Sequence, residues 1–183
     1  MKSQDVVVLL KLVSLHHQLR KEGDANRLVG EFSVRGLETS LGISKSEVSA
    51  SLRRSYQVGL VLRERNTGYP KANIKSLVEF IIYGLKYVFP SELGAMVRGV
   101  PTAAAAPVLQ GVLLSASEYL SVWPDAMGDE MGQGVKPLYK SVPYAAKRDS
   151  ELYASLALID ALRLGNPREE KLAQKLLKKR LNA

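Results

Sequence analysis

The chain has 183 residues, with 26 Lys and Arg against 18 Asp and Glu, two His and no Cys. Without cysteine there are no disulfides, thiolate zinc sites or cysteine nucleophiles. A hydrophobic content of 46% is enough for a packed core and argues against long disorder. The length fits one full domain or two small ones.

No apolar run nears the roughly 20 residues of a membrane helix. The best candidate, Val6–Val13, is short and broken by Lys11. The first residues lack the basic, apolar and cleavage regions of a secretory signal. A cytoplasmic protein without membrane contact is expected. The net charge of +8 is uneven. Residues 1–75 carry 13 basic and 7 acidic side chains, residues 76–183 carry 13 and 11, and Ser44–Lys75 alone carries 7 and 2. A basic half points to a polyanion, most often nucleic acid.

Ser3 is placed to cap a first helix, Asp5–Glu22, with Val6, Leu9, Leu10, Val13 and Leu15 or His16 at helical spacing. Gly23–Asn26 breaks it. After a short segment, Leu28–Phe32, Ser33 is expected to cap a second helix over Val34–Leu41, with Gly42 supplying a left-handed turn. Ser44-Lys45-Ser46-Glu47 reads as a capping box, the Ser44 hydroxyl accepting from the Glu47 N–H and the Glu47 carboxylate reaching back. The third helix then runs to about Gln57, and Gly59 stops it. Leu60–Arg65 is β-permissive, Asn66-Thr67-Gly68 a turn, and Tyr69–Ala72 a return strand that Pro70 keeps at an edge. Asn73 caps a helix over Ile74–Val88.

Pro90–Lys140 is rich in Gly, Pro and Ala. Val97–Thr102 reads as irregular, Tyr119–Trp123 as a short strand and Gly128–Gly134 as a flexible glycine loop. Helix returns over Leu152–Leu164 and again from Asn166-Pro167-Arg168-Glu169 to about Leu181, where Lys178-Lys179-Arg180 suits the helix dipole. The apolar faces of these last two helices, together with Val6–Leu15, are expected to form a dimer interface.

Helix, glycine turn, capped helix, glycine and basic hairpin is the order of a winged helix-turn-helix. In that arrangement Leu37, Leu41, Ile43, Val48 and Leu52 brace the third helix. Lys45, Ser46, Ser49 and Ala50 face the bases of a major groove, Arg53 and Arg54 lie one turn on for phosphates, and Arg63, Arg65 and Lys71 sit on the wing. Arg35 and Ser44 complete the expected DNA-binding set. The adjacent His16 and His17 point about 100° apart and cannot chelate together; one core and one surface histidine is the expectation. Asp125, Asp129 and Glu130 lie in the glycine loop beside no nucleophile and read as solvated. Trp123 and Tyr139 could line a small-molecule pocket, but closing a core is the commoner role. No catalytic set, metal site or cofactor is expected, so the chain reads as a non-enzyme.

On Ser33–Leu37, Leu41–Ser49 and Gly59–Val61, the region Phe32–Arg65 resembles the winged helix-turn-helix of bacterial transcriptional regulators, broadly of the MarR type. It departs from them at Ser55, where relatives place a large apolar residue that Tyr56 or Val58 must replace, and at Ala50, where they often place Arg or a bulky polar residue. Through Arg98–Thr102, Val122–Pro124 and Leu138–Pro143, the second half is similar to small winged-helix proteins found beside nucleotidyltransferase-type toxin genes. These resemblances imply a mainly α protein with a small β wing. A DNA-binding domain would cover 1–75, and a helical dimerisation or partner-binding region 76–183. The implied function is a dimeric repressor of double-stranded DNA acting by promoter occupancy. The alternative is an antitoxin-like protein whose second half binds and neutralises a toxin-like enzyme, with regulation of its own operon as a second role.

Overall fold

The computed structural model describes residues 1–22, 28–110, 119–165 and 167–182. It is mainly helical, with two small sheets. The elements are α1 (Ser3–Glu22), α2 (Val34–Leu41), α3 (Lys45–Gln57), β1 (Val61–Arg63), β2 (Pro70–Ala72), α4 (Ile74–Tyr83), α5 (Leu85–Val88), β3 (Leu93–Pro101), β4 (Ser121–Pro124), β5 (Glu130–Val135), α6 (Val142–Ala146), α7 (Ser150–Leu164) and α8 (Pro167–Leu181). Single 3₁₀ turns occupy Val29–Phe32 and Ala103–Ala105.

The axis of the fold is α1. Every residue from Gln4 to His17 is buried. A helix covered on all sides lies at the centre of a fold, not on its surface. It packs against α2, α3 and β2 on one side and α7 on the other. Val6–Leu15 are therefore covered by their own chain, which corrects the expectation that they face a second copy. Its polar residues are satisfied internally: Lys11 Nζ and Ser14 Oγ donate to Asp149 Oδ2 at 2.8 and 2.7 Å. Asp149 also caps α7, accepting from the Leu152 N–H at 2.9 Å. Burial works to raise the Asp149 carboxyl, but Lys11 and these hydrogen bonds outweigh it and hold its pKa below the ordinary range. One contiguous apolar core runs from α1 through α2, α3 and α4 to α7 and α8.

The second half differs most from expectation. Val97–Pro101 is the end of a nine-residue strand, not irregular chain, with only Thr102 beyond it, and Gly128–Gly134 contributes most of β5 instead of forming a flexible loop. Strand β3 pairs antiparallel with both β4 (Val100 opposite Trp123) and β5 (Arg98 opposite Met131). Strands β4 and β5 pair parallel, with Val122 opposite Gly134, so the three close into a ring. So small a ring needs glycine. A Cβ on Gly132 would lie 2.3 Å from the Leu120 carbonyl oxygen, and one on Gly128 would lie 2.3 Å from the Gly99 backbone. The expected single helix over Ile74–Val88 is interrupted at Gly84, which separates α4 from α5. Asn166, expected to open the last helix, lies outside the described residues; α8 begins at Pro167.

Candidate nucleic-acid interface

Helix α2 starts where Ser33 Oγ accepts from the Gly36 N–H at 3.0 Å. It ends at Gly42, whose φ of 63° is the left-handed value glycine adopts cheaply. Three residues later, at Lys45, α3 begins. The expected capping box is not formed. The Ser44 side chain makes no cap bond and lies 3.3 Å from Ser46 Oγ. The Lys45 N–H is satisfied instead by Glu38 Oε1 at 3.0 Å, from the preceding helix. Glu47 turns to α1, where it accepts from Gln4 Nε2 and pairs with Lys2 Nζ at 3.4 Å. A carboxylate close to two donors, one on the first turn of α1 and one just before it, is drawn there and not to its own first turn.

Helix α3 presents two distinct faces. Val48, Ser51 and Ser55 are buried, while Lys45, Ser46, Ser49 and Arg53 are exposed along the opposite stripe. Ala50 is partly exposed between them, and Ser44 is exposed just before them. At Ser55 the core is completed by half-buried Tyr56; Val58 is exposed. After Gly59, β1 and β2 form an antiparallel hairpin with Val61 opposite Ala72 and Arg63 opposite Pro70. Its base is closed by Asn73, whose N–H donates to the Leu60 carbonyl at 2.9 Å and whose Nδ2 donates to the Gly59 carbonyl at 3.1 Å. The hairpin rests on Phe32, stacked on Tyr69 at 4.8 Å between ring centroids, and on His16 Nε2, which donates to the Pro70 carbonyl at 3.1 Å. Both histidines are buried, contrary to the expectation of one on the surface.

Eight of the candidate residues are exposed: Arg35, Ser44, Lys45, Ser46, Ser49, Arg53, Arg63 and Arg65. The cations among them make no ion pair with any described residue, and Arg63 lies over the Tyr56 ring at 5.7 Å. Two other candidates are already engaged. Arg54 donates to both oxygens of the buried Asp5, and Lys71 Nζ pairs with Glu64 at 2.6 Å. Burial tends to raise the Asp5 carboxyl, but the bonds from Arg54 and the Lys2 N–H dominate and lower its pKa. Arg54 is correspondingly raised, chiefly by its hydrogen bond to Asp5. Arg54 thus fastens α3 to α1.

Contacts that the sequence does not announce come from the second half. Ser141 Oγ donates to the Leu41 carbonyl at 2.6 Å, and Tyr144 Oη donates to the Thr39 carbonyl at 3.0 Å. Both brace the turn before α3 from about a hundred residues away, a separation at which no local pattern carries a signal.

The remaining candidates are structural. Asp125 pairs with Lys147 at 2.7 Å, which lowers its pKa. Trp123 is buried in the core and donates through Nε1 to Asp160. Among the described residues no group of His, Asp and Glu could hold a metal ion, and no helix is long and apolar enough to cross a membrane. Comparison of the chain with family models, curated proteins and solved structures finds no match.

Proposed function

We propose that the chain is a double-stranded DNA-binding transcriptional regulator whose α2, α3 and β1–β2 hairpin act as a winged helix-turn-helix. The observation that carries this reading is the division of labour among the basic side chains. Arg54, turned toward α1, and Lys71 on β2 are neutralised by carboxylates; Lys45 and Arg53 on the outer stripe of α3, with Arg35, Arg63 and Arg65 beside it, have none among the described residues. A protein gains nothing in stability from clustering unpaired cations, but a phosphate backbone gains counterion release from each. The serines on the same stripe, Ser46 and Ser49, are short polar groups suited to base edges. Repression by promoter occupancy follows if two copies cover adjacent half-sites.

The test is a fluorescence anisotropy titration of the full chain against a labelled duplex over a series of salt concentrations. With about five phosphates neutralised per protomer, log K falls against log salt with a slope of about −4.5. A flat response removes the reading.

A second reading, an antitoxin-like partner-binding role for the second half, is favoured by one observation. Leu93, Met96 and Met131 on β3 and β5, with Met127 between β4 and β5, are between 46% and 80% exposed. Co-purification with a toxin-like enzyme, abolished by Met96→Glu and Met131→Glu but not by changes on α3, would support it.

A further inference from the structure

We propose that the nucleic-acid interface continues from α2 and α3 onto the segment around α6, where Arg148 just after that helix and Lys140 just before it contact the phosphate backbone. This rests on the DNA-binding reading above. The last carbonyls of a helix have no partner within it. In α2 two of them, Thr39 and Leu41, are satisfied by Tyr144 and Ser141 of the second half. The fit is close: a Cβ on Gly42 would lie 3.2 Å from both Ser141 Cβ and Tyr144 Cδ1. Helix α6 is therefore seated on the turn that leads into α3.

Tyr144 in turn carries Arg148. The guanidinium carbon lies 3.6 Å from the centre of the Tyr144 ring, and Nη1 donates to the Tyr144 carbonyl at 3.3 Å. Arg148 is exposed and has no carboxylate partner among the described residues. A stacked guanidinium keeps its planar fork in one orientation with most N–H groups free, the arrangement that suits bidentate phosphate binding. Arg35 and Thr39 lie four residues apart on the exposed stripe of α2, so Arg35, Thr39, Tyr144 and Arg148 follow one another across the surface. Lys140, exposed and without an ion pair among the described residues, immediately precedes Ser141. Lys147 is an internal control: its Nζ is held by Asp125 at 2.7 Å and by the Met127 carbonyl at 3.1 Å.

The experiment measures anisotropy titrations of a labelled mixed-sequence duplex over a salt series. It compares the wild type with Arg148→Ala, Lys140→Ala/Arg148→Ala, Lys147→Ala and Arg63→Ala/Arg65→Ala, each first shown to melt like the wild type. The slope of log K against log salt becomes shallower by about 0.9 in Arg148→Ala and by about 1.8 in the double variant, and stays unchanged in Lys147→Ala. Arg148→Lys keeps the slope but binds more weakly, because the charge remains and the stacked fork is lost. Wild-type slopes in Arg148→Ala and the double variant, with loss confined to Arg63→Ala/Arg65→Ala, overturn the extension and leave the DNA-binding reading standing. An equal loss in Lys147→Ala also overturns it, since diffuse charge then accounts for the effect. Slopes unchanged in every variant, Arg63→Ala/Arg65→Ala included, overturn the DNA-binding reading itself.

Discussion

Arg54 donates to both carboxylate oxygens of Asp5, through Nε at 3.0 Å and Nη2 at 2.6 Å, and so locks the last turns of α3 onto the first turn of α1. Asp5 is fully buried and the Arg54 side chain is 24% exposed, so the pair is shielded from most solvent screening. Glu47 adds a second tie, since Gln4 of α1 and Lys2 just before it both donate to it. The angle at which the outer stripe of α3 is presented is set by the central helix of the fold.

The first prediction follows from that pair. Arg54→Ala leaves a buried carboxylate without its main partner and destabilises the protein by about 3 kcal/mol, the lower end for a broken buried pair because Arg54 is partly exposed. Urea unfolding followed by circular dichroism measures this as a lowered midpoint with an unchanged m value. Unaltered stability with a shallower salt slope would return Arg54 to the phosphates.

Ser46 and Ser49 carry the second prediction. Both lie on the exposed stripe of α3, Ser46 next to Lys45 and Ser49 one turn from both Lys45 and Arg53, and neither adds charge. Replacing either by Ala costs roughly 1–3 kcal/mol on a preferred site selected from a random pool and little on mixed-sequence DNA. Equal losses on both would place the serines against the backbone.

The local elements of the first half were legible because their signals are local. Ser33 and Gly42 bound α2 in the structure as their chemistry dictates, and Gly59 ends α3 with φ of 69°. Local patterns do not decide the outcome where a partner lies far away. The Ser44–Glu47 box is a correct local pattern overridden by Gln4 and Lys2, more than forty residues earlier. The apolar spacing of α1 looked one-sided, yet Lys11, Ser14 and His17 are buried too, because Asp149 and the helices of the second half cover that side. Glycines 128, 132 and 134 looked like loop residues. In the closed ring Gly128 and Gly132 are positions where neighbouring backbone leaves no room for a side chain, whereas Gly134 meets only the Val97 side chain closely, and composition alone does not distinguish these from loop glycines. Of the candidate site, exposure at Lys45, Ser46, Ser49 and Arg53 was readable from helical spacing, whereas the ion pairs that remove Arg54 and Lys71 were not.

The third prediction concerns acid stability. Burial lowers the pKa of His16 and of His17 below the ordinary 6.5, with Arg20 and Lys21 adding to the effect at His17. Their neutral forms are favoured in the folded state. That stability is fully present above about pH 6.5 and is lost as pH falls through the lowered values. Asp5 and Asp149, lowered from 3.8, contribute stability that is present above that value and lost below it. Asp160 runs the other way. Burial raises its pKa, so the penalty for its charge lifts as pH falls toward 3.8. Unfolding free energy measured from pH 7.5 downward therefore declines in two stages, one beginning near 6.5 and one below 3.8. Replacing both histidines by Gln removes the upper stage; a decline of the same shape in that variant would contradict the assignment.

The ring of β3, β4 and β5 supplies a fourth. Gly132→Ala places a methyl 2.3 Å from the Leu120 carbonyl oxygen, and the backbone there is pinned by the Gln133 N–H donating to that same oxygen at 2.7 Å. The strands must separate, which breaks the pairing of β4 with β5. The variant loses about 2–3 kcal/mol or more, the range for a forced backbone shift in a packed region. Gly68→Ala, in the hairpin turn with open space around its Cβ, is strained only by its φ of 72° and loses about 1–2 kcal/mol. Thermal melting of the two variants side by side checks the order; a smaller loss at Gly132 than at Gly68 would contradict the closed ring.

The last prediction separates a structural from an interfacial role for the final helix. Apolar residues of α8 were expected to meet a second copy, but Ala173, Leu177 and Leu181 are buried against the same chain, on α7 and α4. Two ion pairs hold the helix ends: Lys86 with Glu170 at 2.9 Å and Glu151 with Arg180. Burying a leucine stabilises by about 1.5–3 kcal/mol, so Leu177 and Leu181 together contribute about 3–6 kcal/mol. That is comparable with the whole net stability of a typical domain, about 5–15 kcal/mol, before counting the faces of α7 and α4 that removal would uncover. Deleting residues 166–183 therefore abolishes the cooperative melt rather than turning a folded dimer into a folded monomer. Thermal denaturation of the truncated chain, with light scattering on the same sample, distinguishes the two. A truncated protein that melts within a few degrees of the full chain and differs only in mass would show that α8 serves association and not the core.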